Sequence, residues 1–181
     1  MEPALAQLLH DWHDFYVLVG TASATLVGLM FVAASISTSI FDEDHRAGMA
    51  AFLTPTVVHF AAALFTCLLV TIPTQSWRTL GGLLAAGGLV GVIYCGRLLI
   101  EIIIRHGFEL DLSDRLFYVL LPFLGYLVAL YAAVLLLMQS AASANLIAAA
   151  VLILLAAGIR NAWDMMVWIV LKTPSGGARP P

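Results

Sequence analysis

Five long apolar segments, separated by short polar connections, dominate the pattern of this chain. They cover residues 15–40, 49–72, 80–104, 116–138 and 146–171. A helix needs about 20 mostly apolar residues to cross the hydrocarbon core of a bilayer, and each segment reaches that length. Because short connections favour antiparallel neighbours, the pattern predicts an all-α integral membrane helix bundle with five transmembrane helices.

Composition supports a membrane class and argues against a soluble one. Hydrophobic residues make up 62% of the chain and charged residues 10%, whereas a soluble domain carries about 25% charged residues. The net charge of -3 leaves no basic surface for nucleic acid. We expect one transmembrane domain over residues 1–172, an interfacial helix over residues 1–13 within it, and a disordered tail over residues 173–181.

The distribution of basic residues predicts the orientation. Five spans place the termini on opposite sides of the membrane. One side holds five basic residues and the other holds Arg78 alone; the five are Arg46, Arg105, Arg115, Lys172 and Arg179. The positive-inside rule therefore predicts an outside N-terminus and a cytoplasmic C-terminus.

Charged and amide side chains interrupt two of the apolar segments. The fifth carries Arg160, Asn161 and Asp164, and the third carries Arg97 and Glu101. Buried charge within a membrane helix is expensive, so such residues mark a structural contact or a working site. Helices three and five run in the same direction, which predicts one cluster of four charges in the inner half. The cluster is either a neutral clasp that fixes the packing or part of an ion route.

The first helix carries a stripe of small and hydroxyl-bearing residues, which we call the α1 stripe: Gly20, Thr21, Ala24, Thr25, Gly28, Ser35 and Ser39. Small faces allow close helix packing, within one protomer or between protomers. The alternative is a hydroxyl-lined water path. Hydroxyl groups that bond to their own helix would leave no such path.

Three further features lie in the second and third helices. His59, four residues after Pro55, is a candidate pH-sensitive group, and Gly87-x-x-x-Gly91 is a second close-contact stripe. Cys67 and Cys95 lie roughly 13 Å apart in depth along antiparallel helices. This separation predicts two free, buried cysteines and no disulfide.

The order of motifs suggests a tandem hairpin repeat. Leu53-Thr54-Pro55 precedes a hairpin that ends in Arg97-x-x-x-Glu101. Leu120-Leu121-Pro122 precedes a second hairpin, which ends in Arg160-x-x-x-Asp164. Parallel repeats of this kind build some transport folds, although proline near a helix start is also ordinary.

Two stretches carry a resemblance to known proteins. They are WHDFYVLVGTASATLVGLMFVAASIS, residues 12–37, and GIRNAWD, residues 158–164. Together they resemble a broad group of small, uncharacterised bacterial inner-membrane proteins. The resemblance implies a bacterial plasma-membrane location and brings no activity, cofactor or substrate.

Three classes of function remain, and an enzyme ranks last. The sequence has no Gly-rich phosphate loop, no repeated CxxC and no HExxH, so we predict no catalytic, cofactor-binding or metal site. An oligomeric channel or transporter for a small ion or solute, built from identical copies, accounts for both the hydroxyl groups and the charges. The alternative is an accessory, scaffold or regulatory subunit without transport activity.

Overall fold

A computed structural model describes residue 7 and residues 10–40, 43–73, 76–106 and 116–172; side chains are described at residue 7 and over 10–35, 54–73, 76–101 and 118–167. These residues form five long helices: α1 His13–Ile40, α2 Glu43–Thr71, α3 Trp77–His106, α4 Leu121–Leu137 and α5 Ala142–Lys172. A π-helical turn, Leu116–Leu120, leads into α4. All five helices are long and apolar enough to cross a membrane.

The predicted fold class is therefore confirmed, with helices that extend beyond some apolar segments. α2 begins at Glu43 and α5 at Ala142, a few residues before the apolar runs that predicted them. Helical backbone satisfies its own hydrogen bonds, so a helix is stable through the interface as well as through hydrocarbon. The predicted helix over residues 1–13 lies mostly outside the described residues, and the tail over 173–181 lies wholly outside them.

The helices pack in the order α1, α2, α5, α4, α3. The last helix in sequence is thus the central one, with α2 on one side and α4 on the other. Small side chains make this possible, because the buried surface of α5 includes Ala144, Ala148, Ala150 and Ala157. α1 packs along α2, and α3 packs along α4, at the two ends of the row.

This order separates the two hairpins that the repeat hypothesis treats as equivalent. α4 and α5 pack along each other, whereas α2 and α3 share few contacts. The second pair therefore forms a packed hairpin and the first pair does not. The matching motifs thus do not correspond to two similar supersecondary units.

Glycine residues set the closest approaches between helices. A Cβ atom built on Gly158 would lie 2.5 Å from the Phe60 ring of α2, and one on Gly91 would lie 2.1 Å from the Tyr126 ring of α4. One on Gly88 would lie 3.0 Å from the backbone of Leu130. Gly87, in contrast, faces open space. The predicted stripe of α3 is therefore shifted by one position, since Gly88 rather than Gly87 accompanies Gly91.

Both cysteines are free and buried, as predicted. Cys67 lies against Gly20 of α1, where a built Cβ atom would be 3.1 Å from the Cys67 Cβ. At the same end of the bundle, the Tyr16 hydroxyl of α1 donates a hydrogen bond to the Ala144 carbonyl of α5 at 3.2 Å. That bond attaches the first helix to the central one.

Candidate functional site

Arg160 and Asp164 form an ion pair one helical turn apart on α5. Arg160 Nη1 donates to Asp164 Oδ1 at 2.5 Å, and each side chain is 38% exposed. Trp163 and Ile159, which point further out, are 64% and 50% exposed. The pair therefore lies on the flank of α5, between its core-facing and its outer surface, and its two charges neutralise each other locally.

Arg97 and Glu101 belong to α3, which packs along α4 rather than along α5. The buried face of α3 contains Leu80, Leu84 and Cys95, which leaves Arg97 and Glu101 on its exposed surface. α4 also lies between α3 and α5. The packing order therefore does not favour one cluster of four charges within a protomer, because similar depth along two parallel helices does not make them neighbours. The four-charge cluster stays a prediction.

Asn161 points the other way from the ion pair. It is 2% exposed, and its Nδ2 atom has no hydrogen-bond partner among the described residues. It shares a face of α5 with Ala157 and Leu154, both buried. Leu154 lies against Gly125 of α4. Asn161 is thus a core residue rather than a member of a charged cluster.

His59 is bonded to a residue that the sequence did not single out. It is 1% exposed, and its Nδ1 atom lies 3.1 Å from the Tyr126 hydroxyl of α4. The two rings are 5.8 Å apart at an angle of 52°. A buried tyrosine hydroxyl usually finds a partner, so Tyr126 in the middle of an apolar helix was a usable signal. A pH-sensing role for His59 stays a prediction.

Three buried polar atoms have no hydrogen-bond partner within the described part of the chain. They are Ser23 Oγ on α1, His59 Nε2 on α2 and Asn161 Nδ2 on α5. An unsatisfied buried polar group costs about 1–3 kcal/mol, so each atom requires an explanation. The last two lie on helices that pack against each other, α2 and α5.

Most of the α1 stripe is exposed rather than packed. Gly20 is buried against α2, whereas Thr21, Ala24, Thr25 and Gly28 are exposed. A Cβ atom built on Gly28 would meet nothing within 4 Å. The core-facing residues of α1 are instead Tyr16, Val19, Ser23 and Met30.

The hydroxyl groups of the α1 stripe bond to their own helix. Thr21 donates to the Val17 carbonyl at 2.8 Å, Thr25 to Thr21 at 2.9 Å and Ser35 to Phe31 at 2.8 Å. The side chain of Ser39 lies outside the described residues. The stripe therefore presents small, locally satisfied groups to its surroundings.

No three His, Cys, Asp or Glu side chains group together as metal ligands in the described part of the chain. The absence of catalytic, cofactor and metal sites stays a prediction. Comparison with protein-family models, curated proteins and solved structures finds no match to this chain.

Proposed function

We propose that the protein is a membrane-embedded accessory or scaffold subunit that holds another transmembrane helix against the α1 stripe. The observation that carries this proposal is the exposure of Thr21, Ala24, Thr25 and Gly28 on a helix whose opposite face is packed. Small residues let two helix backbones approach closely, and this contact drives helix association in lipid.

The hydrogen bonds of the stripe favour packing over permeation. A hydroxyl group that donates its proton to its own helix keeps only its oxygen lone pairs for a passing ion or water molecule, and a helix packed against it meets no unsatisfied donor. Thr21, Thr25 and Ser35 all do so. The internal pairing of Arg160 with Asp164 likewise supplies a neutral unit rather than a free charge.

A second copy of the same chain is the occupant we propose for the stripe. α1 stands at the end of the helix row and contacts mainly α2, so its outer face is open to a neighbouring protomer. Two identical stripes can pair about a twofold axis, the commonest symmetry of protein oligomers. The resemblance of residues 12–37 and 158–164 to bacterial inner-membrane proteins supports a location of this assembly in a bacterial plasma membrane.

An oligomeric channel or transporter for a small ion or solute is the second candidate. It is favoured by the 38% exposure of Arg160 and Asp164 on a helix long enough to span the membrane. Charged residues at membrane depth face protein or water rather than lipid. A ring of such pairs around an oligomer axis would set ion selectivity.

A larger side chain at position 28 tests directly whether two copies of the chain associate through the α1 stripe. Gly28→Leu should fold normally, because a new side chain there meets no atom of the protomer. It should nevertheless shift the detergent-solubilised protein to a smaller species in size-exclusion chromatography. Leu29→Ala, on a neighbouring exposed position, is the control. An unchanged elution volume for Gly28→Leu would contradict the proposed interface.

Cysteine chemistry separates the two candidate functions. In a Cys67→Ala, Cys95→Ala background, Gly28→Cys should form disulfide-linked dimers in membranes and Leu29→Cys should not. Thr21→Cys and Thr25→Cys should not react with a membrane-impermeant thiol reagent, and reconstituted liposomes should show no ion flux. Labelling at both threonine positions together with flux would establish the channel instead.

A further inference from the structure

His59 and Asn161 leave two unsatisfied polar atoms in the same part of the core. His59 Nε2 and Asn161 Nδ2 have no partner among the described residues, and the two side chains are 1% and 2% exposed. They belong to α2 and α5, which pack along each other. Neither atom can reach bulk water in this position, so each lacks the compensation that a surface polar group receives.

The register between α2 and α5 brings the two residues to a similar depth. Gly158 of α5 lies against the Phe60 ring of α2. Phe60, the residue that follows His59, therefore lies at about the same depth as Gly158. Asn161 comes one turn later along α5. Side chains lean towards the N-terminus of their own helix. Because the helices are antiparallel, His59 leans towards the level of Asn161 and Asn161 leans back towards the level of His59.

α4 closes the third side of this region. The Tyr126 hydroxyl lies 3.1 Å from His59 Nδ1. Gly125, next to Tyr126, lies against Leu154, which shares the α5 face of Asn161. His59 and Asn161 therefore both lie beside the junction of α2, α4 and α5.

From this geometry we propose that His59, Tyr126 and Asn161 form an internal binding site for one water molecule, which bridges His59 Nε2 and Asn161 Nδ2. Buried waters occur about once per 27 residues in globular proteins and make about three hydrogen bonds to otherwise unsatisfied groups. The site has these features, since two unsatisfied buried polar atoms lie at similar depth on neighbouring helices, beside the Tyr126 hydroxyl.

Water fits both states of the histidine ring. If the Tyr126 hydroxyl donates to Nδ1, then Nε2 carries the proton, and a water oxygen accepts from both Nε2–H and the Asn161 amide. If Nδ1 carries the proton, the same water donates to Nε2 while still accepting from Asn161. A molecule that both donates and accepts satisfies either tautomer, and a simple cation satisfies neither because Asn161 Nδ2 only donates. The bridge would attach α2 to α5 at the point where Tyr126 attaches α2 to α4.

Magnetisation transfer between water and the side-chain amides tests the site without any mutation. The chain contains two asparagines, Asn145 and Asn161, so protein labelled with ¹⁵N-asparagine in detergent gives two side-chain amide groups to assign. Asn161 should show a through-space transfer from a long-lived water, while the exposed Asn145 shows either no transfer or fast exchange. Transfer from the His59 ring to Asn161 with none from water would overturn the proposal, since the two groups would then bond directly.

A double-mutant cycle gives an independent test through stability. His59→Asn keeps a polar atom near the Nδ1 position and removes Nε2, and Asn161→Leu removes the amide while keeping the branching of the side chain. Each change should lower the thermal unfolding midpoint. If one water serves both groups, the double variant should lose little more than the worse single variant, since groups that share a partner are not additive.

The matched control pairs His59→Asn with Asn145→Leu, whose shifts should add because Asn145 is exposed at the start of α5. Additive shifts for His59→Asn and Asn161→Leu would mean that no shared molecule connects the two residues. Should either variant fail to fold, the transfer experiment on the unmodified protein still decides the question.

Discussion

Each charge of the Arg160–Asp164 pair depends on the other for its place on α5. Removing one partner takes the hydrogen bond of the pair away from the remaining charged group, which is only 38% exposed, and we expect this loss to destabilise the fold. Arg160→Leu and Asp164→Leu should each lower the yield of folded protein in detergent, and the double variant should recover part of it. Yields equal to the unmodified protein for both single variants would show that water or headgroups already solvate the two side chains.

The contact between His59 and Tyr126 leads to a second prediction at the scale of single residues. Tyr126→Phe keeps the ring that packs on Gly91 but removes the hydroxyl that lies 3.1 Å from His59 Nδ1. The imidazole would lose its partner, so we expect a loss of about 1–3 kcal/mol in the free energy of unfolding. Tyr131→Phe, at a position that is 58% exposed, provides the control. Equal denaturation midpoints for the two variants would contradict a stabilising role for the hydroxyl.

At the scale of single elements, α3 is positioned by glycines on one face. Gly91→Ala should reduce stability by about 1–3 kcal/mol, because the new methyl group would lie 2.1 Å from the Tyr126 ring. Gly82→Ala faces open space and should be neutral or slightly stabilising, since alanine favours helix more than glycine does. Thermal unfolding of the two variants side by side would measure the difference. A Gly91→Ala variant as stable as Gly82→Ala would show that α3 moves away from α4 without loss.

The packed face of α1 could be predicted only in part from the sequence. The sequence identifies the α1 stripe, whose small residues recur with helical periodicity. The structure uses a different set, Tyr16, Val19, Ser23 and Met30, for packing within the protomer. In an all-apolar helix, hydropathy does not distinguish lipid from core, so the packed face is chosen by shape complementarity with α2.

At the scale of the whole molecule, an odd number of spanning helices predicts termini on opposite sides of the membrane. The excess of basic residues on one side predicts a cytoplasmic C-terminus. A C-terminal fluorescent fusion should therefore be active in the cytoplasm, and a C-terminal phosphatase fusion should be inactive. Phosphatase activity at the C-terminus would reverse the orientation while leaving the helix packing unchanged.

Helix order is the property of the whole molecule that sequence adjacency did not indicate. α5 occupies the middle of the row, although it is the last helix of the chain. Its alanine-rich face allows two neighbours to approach closely. The same order places α4 between α3 and α5, so the two Arg-x-x-x-acid pairs lie on helices that are not neighbours in the row.

The sequence by itself determined the fold class, the number of helices and the approximate limits of each. These properties depend on the local free energy of moving a segment of about 20 residues into lipid, and that quantity is a sum over the residues of the segment. It also indicated the Arg160–Asp164 contact, because a spacing of four residues places two side chains together on any helix.

Only the tertiary structure decided which polar groups face the core. His59 bonds to Tyr126 across 67 positions of sequence, Asn161 points inward while its neighbour Arg160 does not, and Thr21 faces outward. Such choices depend on which helices become neighbours and at what rotation. The choice of neighbours and the rotation of each helix follow from close packing between segments that are distant in sequence. Close packing is a property of two surfaces together, so no single segment determines it.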